Sequence, residues 1–256
     1  MALSPAKKIY LKFLLKFFRI TGIKKYYRIG DGFLKGYLFN VNVDNNIFYG
    51  EYETDAVEKI ISIANTADPL CYYDIGAHYG FFSLVFSKLR PRAVTAFEAH
   101  TPNYEKLLKT LLLNKIPEVQ AKNVAVANSG QSTVLFTNTN LTASNTFIDS
   151  GQLPGDSPKK VVVAKSIDDL VFKDKSLPPG FIKIDVEGAE YEVLNGALST
   201  LKQYRPYILL ATHDCHLPGV KNDCIRLLSE LGYRTEKLND QKAFEGLEDF
   251  LCSPAM

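Results

Sequence analysis

Mostly apolar runs of four to nine residues recur along the chain, most of them followed by a segment in which apolar residues return every three or four positions. The runs at 71–75, 93–99, 119–126, 181–184 and 206–214 read as strands, that at 71–75 as a buried one, and VVVAK, 161–165, marks a return to order. The helical-period segments fall between them. Residues 55–65 carry Val57, Ile60, Ile61 and Ala64 on one face behind Thr54 as N-cap. Residues 81–89, a helix from 101 or 102 to 114 (Leu107, Leu108, Leu111 and Leu112 inward), and 219–231, stopped by Gly232, follow the same rule. The runs YRTEKL and DFLCS supply two last strands. Strands alternating with helices predict an α/β fold with a mostly parallel sheet and helices on both faces.

Two stretches depart from this rhythm. Residues 29–53 are punctuated by Gly30-Asp31-Gly32, Gly36 and Asp44-Asn45-Asn46, which predicts a small antiparallel β-hairpin or meander. Residues 127–160 are rich in Ser, Thr, Asn, Gly and Pro, and 137–160 reads as a long insertion of the kind used as a substrate loop or lid. The chain thus divides into an N-terminal extension, 1–53, and a main domain, 54–256.

The extension opens with a basic amphipathic helix within 5–28, where Lys8, Lys12, Lys16 and Arg19 form one stripe and Ile9, Phe13, Leu14, Phe17 and Phe18 fill the rest. Cations every four residues exclude a membrane span, and the broken apolar stretch with no small-residue cleavage site argues against a signal peptide. Two readings stand: packing on the domain or on a second subunit as a homodimer contact, or peripheral contact with an anionic membrane surface.

Composition narrows the class without naming it. With 256 residues, 46% hydrophobic and 23% charged, the chain has a real core and is neither disordered nor collagen-like. A net charge of +2 leaves no basic excess for a nucleic-acid track, so no nucleic acid partner is expected. Four scattered cysteines form no C-x-x-C pair and no zinc spacing, which fits reduced thiols in the cytoplasm.

The chemistry concentrates in CYYDIGAHYG, 71–80, where a strand, a glycine turn and a helix follow one another. Gly76 and Gly80 let backbone approach a ligand, with Ala77, His78 and Tyr79 between them. A dinucleotide fold wants G-x-G-x-x-G here and a pyrophosphate on the helix N-terminus. This turn reads D-x-G-x-x-x-G instead. A carboxylate at Asp74 repels a phosphate and suits a cation such as the ammonium or sulfonium of S-adenosylmethionine, although an acid and two glycines also make an ordinary turn. Glu98, 22 residues beyond Gly76, ends the second strand beside Ala99, where a carboxylate accepts from ribose hydroxyls. Asn123 and Val124 end the third strand, placed either to meet adenine or merely to turn the chain. Asp185 closes the strand at 181–184, Glu187 and Glu190 follow on a turn, and His213 and Asp214 end the next strand. Asp74, Glu98 and Asp185 are expected to converge at the carboxyl ends of neighbouring strands, where open α/β sheets bind ligands.

The set DIGAHYGFFSL, AFEAH, NVAV, IKIDVEGAEYEVLNGA and DFLCSP resembles the FkbM-type, S-adenosylmethionine-dependent methyltransferases over roughly 45–254, with DVEGAE its most specific block. The resemblance implies a Rossmann-like class I methyltransferase with a seven-stranded sheet, and methyl transfer to a hydroxyl oxygen of a sugar, glycan or natural product. It implies further that Asp74, Gly76 and Gly80 form the methionine-binding turn, that Glu98 is the ribose acid, and that Asp185 lies beside the transferred methyl. The chain departs from the family at His78-Tyr79, where Asn and a hydrophobic residue are usual, and at Ala99-His100, where a proline is. A hydroxyl nucleophile needs a base, for which His213 and Asp185 are the candidates, His213 having the better-matched resting pKa and Glu187 standing third. Asp185, Asp214 and Glu187 offer oxygens to Mg²⁺, but no spacing demands it, so no metal is expected. Two alternatives remain: a methyltransferase fold that only binds a partner, and an NAD-dependent oxidoreductase, which the missing G-x-G-x-x-G disfavours.

Overall fold

The computed structural model describes residues 3–89, 91–128, 132–136, 159–238 and 246–255. The N-terminal helix α1 (Pro5–Thr21) starts on a Ser4 cap and ends at Gly22 in the left-handed region. Strands β1 (Tyr26–Arg28) and β2 (Leu38–Asn40) form the expected antiparallel hairpin. A short helix α2 (Asn45–Tyr49) replaces the strand character of IFYGEY, because Asp44 accepts from the Asn46 amide and Gly50 closes the turn with a positive φ. Helix α3 (Thr54–Thr66) starts one residue earlier than the spacing suggests; Glu53, not Thr54, holds the capping position, with φ 50°.

The main sheet takes seven strands: β3 (Cys71–Ile75), β4 (Ala93–Phe97), β5 (Val119–Lys122), β9 (Phe181–Ile184), β10 (Tyr207–His213), β11 (Tyr233–Lys237) and β12 (Leu247–Pro254). Three more, β6 (Ala125–Val126), β7 (Ser132–Phe136) and β8 (Lys159–Lys165), pair apart from it as a small sheet. The run at 119–126 is therefore split between two sheets, and 161–165 never joins the main one. Across the main sheet the order is β11-β12-β10-β9-β3-β4-β5, with β12 antiparallel to its neighbours and the remaining pairs parallel. The order reverses between β3 and β9, which opens a crevice beyond their carboxyl ends. Residues 137–158, most of the segment read as a substrate loop, lie outside the described residues.

Helices α4 (Phe81–Lys88), α5 (Thr101–Asn114), α6 (Glu190–Asn195), α7 (Leu198–Tyr204) and α8 (Val220–Glu230) complete the layers. Because side chains alternate along a strand, the two sheet faces feed two cores. Tyr72 and Phe181 join the core of α3, α4 and α5, while Cys71, Tyr73, Ile75, Ile182 and Ile184 join that of α6, α7 and α8. Leu11 and Leu15 of α1, with Phe39, Ile47 and Phe48, lie in the first core, so the extension and the main domain share one apolar interior.

Candidate active site

The turn after β3 is built by close approach. Gly76 has φ 78°, and a Cβ there would sit 1.8 Å from the Asp185 carbonyl oxygen, so the tips of β3 and β9 meet only because the side chain is absent. The Gly76 and Ala77 amides both donate to the Phe97 carbonyl at 3.0 and 2.9 Å, tying the turn to β4. His78 takes φ 50° and donates its amide to Glu98 Oε2 at 2.7 Å, and the His100 amide donates to Glu98 Oε1 at 2.8 Å. Glu98 is thus gripped at both oxygens from two loops. Each oxygen keeps the capacity to accept a second hydrogen bond. Burial pushes this carboxyl up to about 7, against the lowering pull of the two amides. The His78 ring stacks on Tyr79 at 3.8 Å and is held neutral, near 4, by burial. Asn123 spends its amide on the Glu98 and Ala99 carbonyls, at 2.8 and 3.2 Å, bracing the tip of β4; Val124 is buried in the second core.

Asp74, the acid expected to answer a cationic ligand, is enclosed by the protein. It shares the sheet face of Tyr72 and is fully buried, accepting from Ser83 Oγ of α4 at 2.6 Å. Parallel pairing sets it opposite Lys183 of β9. The ammonium of Lys183 lies 4.0 Å from Asp74 Oδ1, 3.0 Å from Asp185 Oδ2 and 3.4 Å from the Gly76 carbonyl. The cation that answers Asp74 is thus the protein's own. Burial raises the Asp74 carboxyl and Lys183 counters it; burial opposes the charge on Lys183, but Asp185 and then Asp74 outweigh it and raise the amine.

Asp185 belongs to a second group, of acids around a histidine. His213 Nδ1 meets Glu190 Oε1 at 2.7 Å, and the same oxygen accepts the Gly188 amide at 2.9 Å. That bond turns His213 Nε2 toward Asp185 Oδ1 and Glu187 Oε2, each 3.5 Å away, while His216 Nε2 stands 3.5 Å from Glu187. Glu187 reaches this place from a left-handed backbone, φ 56°, followed by Gly188 at 105°. Burial works against the His213 charge, but the Glu190 bond and the charges of Glu187, Glu190 and Asp185 prevail, raising it to about 9. This corrects the expectation that His213 rests near its ordinary value: at neutral pH it is an imidazolium. Burial raises Glu187 to about 7, with His213 pulling the other way. Asp185, Glu187 and His213 bring ligand atoms within 4.8 Å of one another, a set able to hold a metal ion. Asp214 is not in that set; its carboxylate caps the Lys221 amide at 2.9 Å.

Lys183, His216 and Tyr52 were missed by sequence reasoning. Lys183 is the one cation in a strand otherwise apolar, a signal that was available. Tyr52 comes from the extension, and its hydroxyl is raised well above its usual range by burial and by Glu53, Asp185 and Asp249. Its ring stands edge-on to Phe81 at 4.9 Å. Tyr52 and Phe81 also wall a separate cavity of about 300 Å³ between the hairpin and α3, lined by Ile29, Phe33, Ile47 and Val57. That cavity is mostly apolar, whereas the strand tips gather the titratable groups, and chemistry assigns the site to the tips.

Sheet order, crevice and strand-tip carboxylates define a class I methyltransferase domain. The chain belongs to the methyltransferase FkbM domain family, whose model matches residues 74–235. Among solved structures it resembles a methyltransferase FkbM from Methylobacillus flagellatus KT, at TM-score 0.51 and 17% identity over 70% of this chain; the match spans 42% of that protein's length. It also resembles an O-methyltransferase from Bacillus cereus in complex with SAH, at TM-score 0.50 and 12% identity, covering 77% of this chain and 79% of that one. No curated protein matches the chain.

Proposed function

We propose that the chain transfers a methyl group from S-adenosylmethionine to a hydroxyl oxygen of a sugar, glycan or natural product. The observation that carries this reading is Glu98, a buried carboxylate fixed by two backbone amides with acceptor capacity left for two vicinal ribose hydroxyls. The turn from Gly76 to Gly80 supplies the backbone surface for the rest of the nucleoside, and Asp185, paired with Lys183 at 3.0 Å yet about one-third exposed, is the strand-tip acid that a cationic centre reaches. S-adenosylmethionine, when bound, supplies a sulfonium-activated methyl group open to in-line displacement. Alignment of the acceptor against it accounts for most of the rate, up to about 7–11 kcal/mol in well-oriented systems.

Proton removal falls to Glu187. Its conjugate acid sits near 7, so a substantial share of the carboxylate is ready to accept at neutral pH, whereas His213 already carries its proton. His213 holds Glu187 and Asp185 in place, and Glu190 fixes the ring that does so. Glu187 would take the acceptor's proton as the methyl–sulfur bond of the donor breaks and the methyl carbon passes to the acceptor oxygen, leaving S-adenosylhomocysteine.

Calorimetric titration with S-adenosylhomocysteine and with NAD tests the reading. One molecule of S-adenosylhomocysteine per chain is expected, with affinity lowered about 10- to 100-fold in Glu98→Gln, the worth of hydrogen bonds to a charged group. Binding of NAD alone, or an unchanged affinity in the variant, overturns it.

A further inference from the structure

Helix α1 carries two apolar faces, and only one is used by the fold. Leu11 and Leu15 are buried in the first core, with Leu14 and Phe18 packed against it. At about 100° per residue, Ile9, Tyr10, Phe13, Phe17 and Ile20 fall within a single arc of roughly 100° on the opposite side. These five, with Ile23 beyond the cap, are between 50% and 74% exposed. Exposed Lys12 and Lys16 border this arc along one edge and exposed Lys7 lies past the other. Among the described residues, none of these three lysines enters an ion pair, whereas Lys8 is paired with Glu51 and Arg19 is bound to the Val41 and Val43 carbonyls. Residues 1–30 contain six lysines and two arginines and no acid.

We propose that α1 seats this outer face in the headgroup region of an anionic lipid surface, with Phe13, Phe17 and Ile20 at the acyl boundary and Lys7, Lys12 and Lys16 on the lipid phosphates. Rings and aliphatic side chains flanked by uncommitted lysines match an interface that is apolar below and negative above. A second copy of the chain fits less well. It would set the same lysines against each other with no acid on the helix to meet them. Among the described residues no helix is long and apolar enough to cross a membrane, so the contact is peripheral.

Flotation of the full chain with vesicles of phosphatidylcholine alone, or of phosphatidylcholine mixed with phosphatidylglycerol, tests the assignment. Binding is expected on the mixed vesicles, weakened by salt, and little on the neutral ones. The triple variant F13S/F17S/I20S and the charge reversal K12E/K16E are each expected to bind at least about tenfold more weakly, with circular dichroism unchanged because the altered side chains are exposed. No flotation with mixed vesicles, or equal flotation of the triple variant, overturns the proposal. So does a dimer in light scattering that the triple variant dissolves while no vesicle is bound.

Discussion

At the scale of single residues, the site is a set of charges that compensate one another. Lys183 answers Asp74 inside the protein, and removing it leaves a buried carboxylate with no counter-charge. Lys183→Met is expected to destabilise the fold by about 3–5 kcal/mol in urea denaturation, and adding Asp74→Asn should recover much of the loss. Glu187→Gln is expected to lower kcat about 10²- to 10⁴-fold and to abolish the limb of the kcat–pH profile that rises through about 7. His213→Asn should lower kcat less and shift that limb upward, since the positive charge that holds the Glu187 carboxyl down is lost. The acids themselves were legible: Glu98 and Asp185 stand at strand ends in the sequence, and Glu187 on the turn that follows. Which charge faces which was not. Only the register of β3 on β9 puts Lys183 opposite Asp74, and only the turn at Glu187-Gly188 brings that acid to His213.

Elements were read from period and punctuation, and both can mislead where tertiary pairing decides. β3, β4, β9 and β10 are mostly apolar runs, each with one or two polar positions, and were legible from that pattern. Residues 119–126 also look continuous, yet Asn123 breaks the run by bonding back to the Glu98 and Ala99 carbonyls, so Ala125 and Val126 pair with β8 instead. IFYGEY has strand composition but forms α2, since the Asp44 cap and Gly50 act locally before any sheet partner is available. The tightest junction between elements is at Gly76. Gly76→Ala is expected to cost more than about 3 kcal/mol, because a methyl group meets the Asp185 carbonyl and the backbone is left-handed; chemical denaturation measures it.

For the molecule as a whole, the crevice groups set how stability follows pH. Glu98 and Glu187 are raised to about 7, and His213 to about 9. A group raised on folding contributes fully below its unfolded pKa and loses that contribution as pH climbs through the folded value. Glu98 and Glu187 therefore lose their contribution between about pH 4.5 and 7 and His213 between about 6.5 and 9, and Tm is expected to drop by about 5 °C or more from pH 4.5 to 9. A flat Tm would mean that the crevice is more hydrated than its burial implies. The alternation of strands and helices announced a mostly parallel sheet but not its order, and of the two readings of α1 the core contains the packing on the domain; which side of the helix turns inward was not legible, because Leu11 and Leu15 look no different in sequence from the exposed Phe13 and Phe17.

The account turns on where the nucleoside sits, and a crystal structure of the chain with S-adenosylhomocysteine locates it. The expected result is a ribose whose two hydroxyls donate to Glu98, with the sulfur turned toward Asp185, Glu187 and His213. Density for the ligand in the cavity between the hairpin and α3, with the strand tips bare, would contradict it.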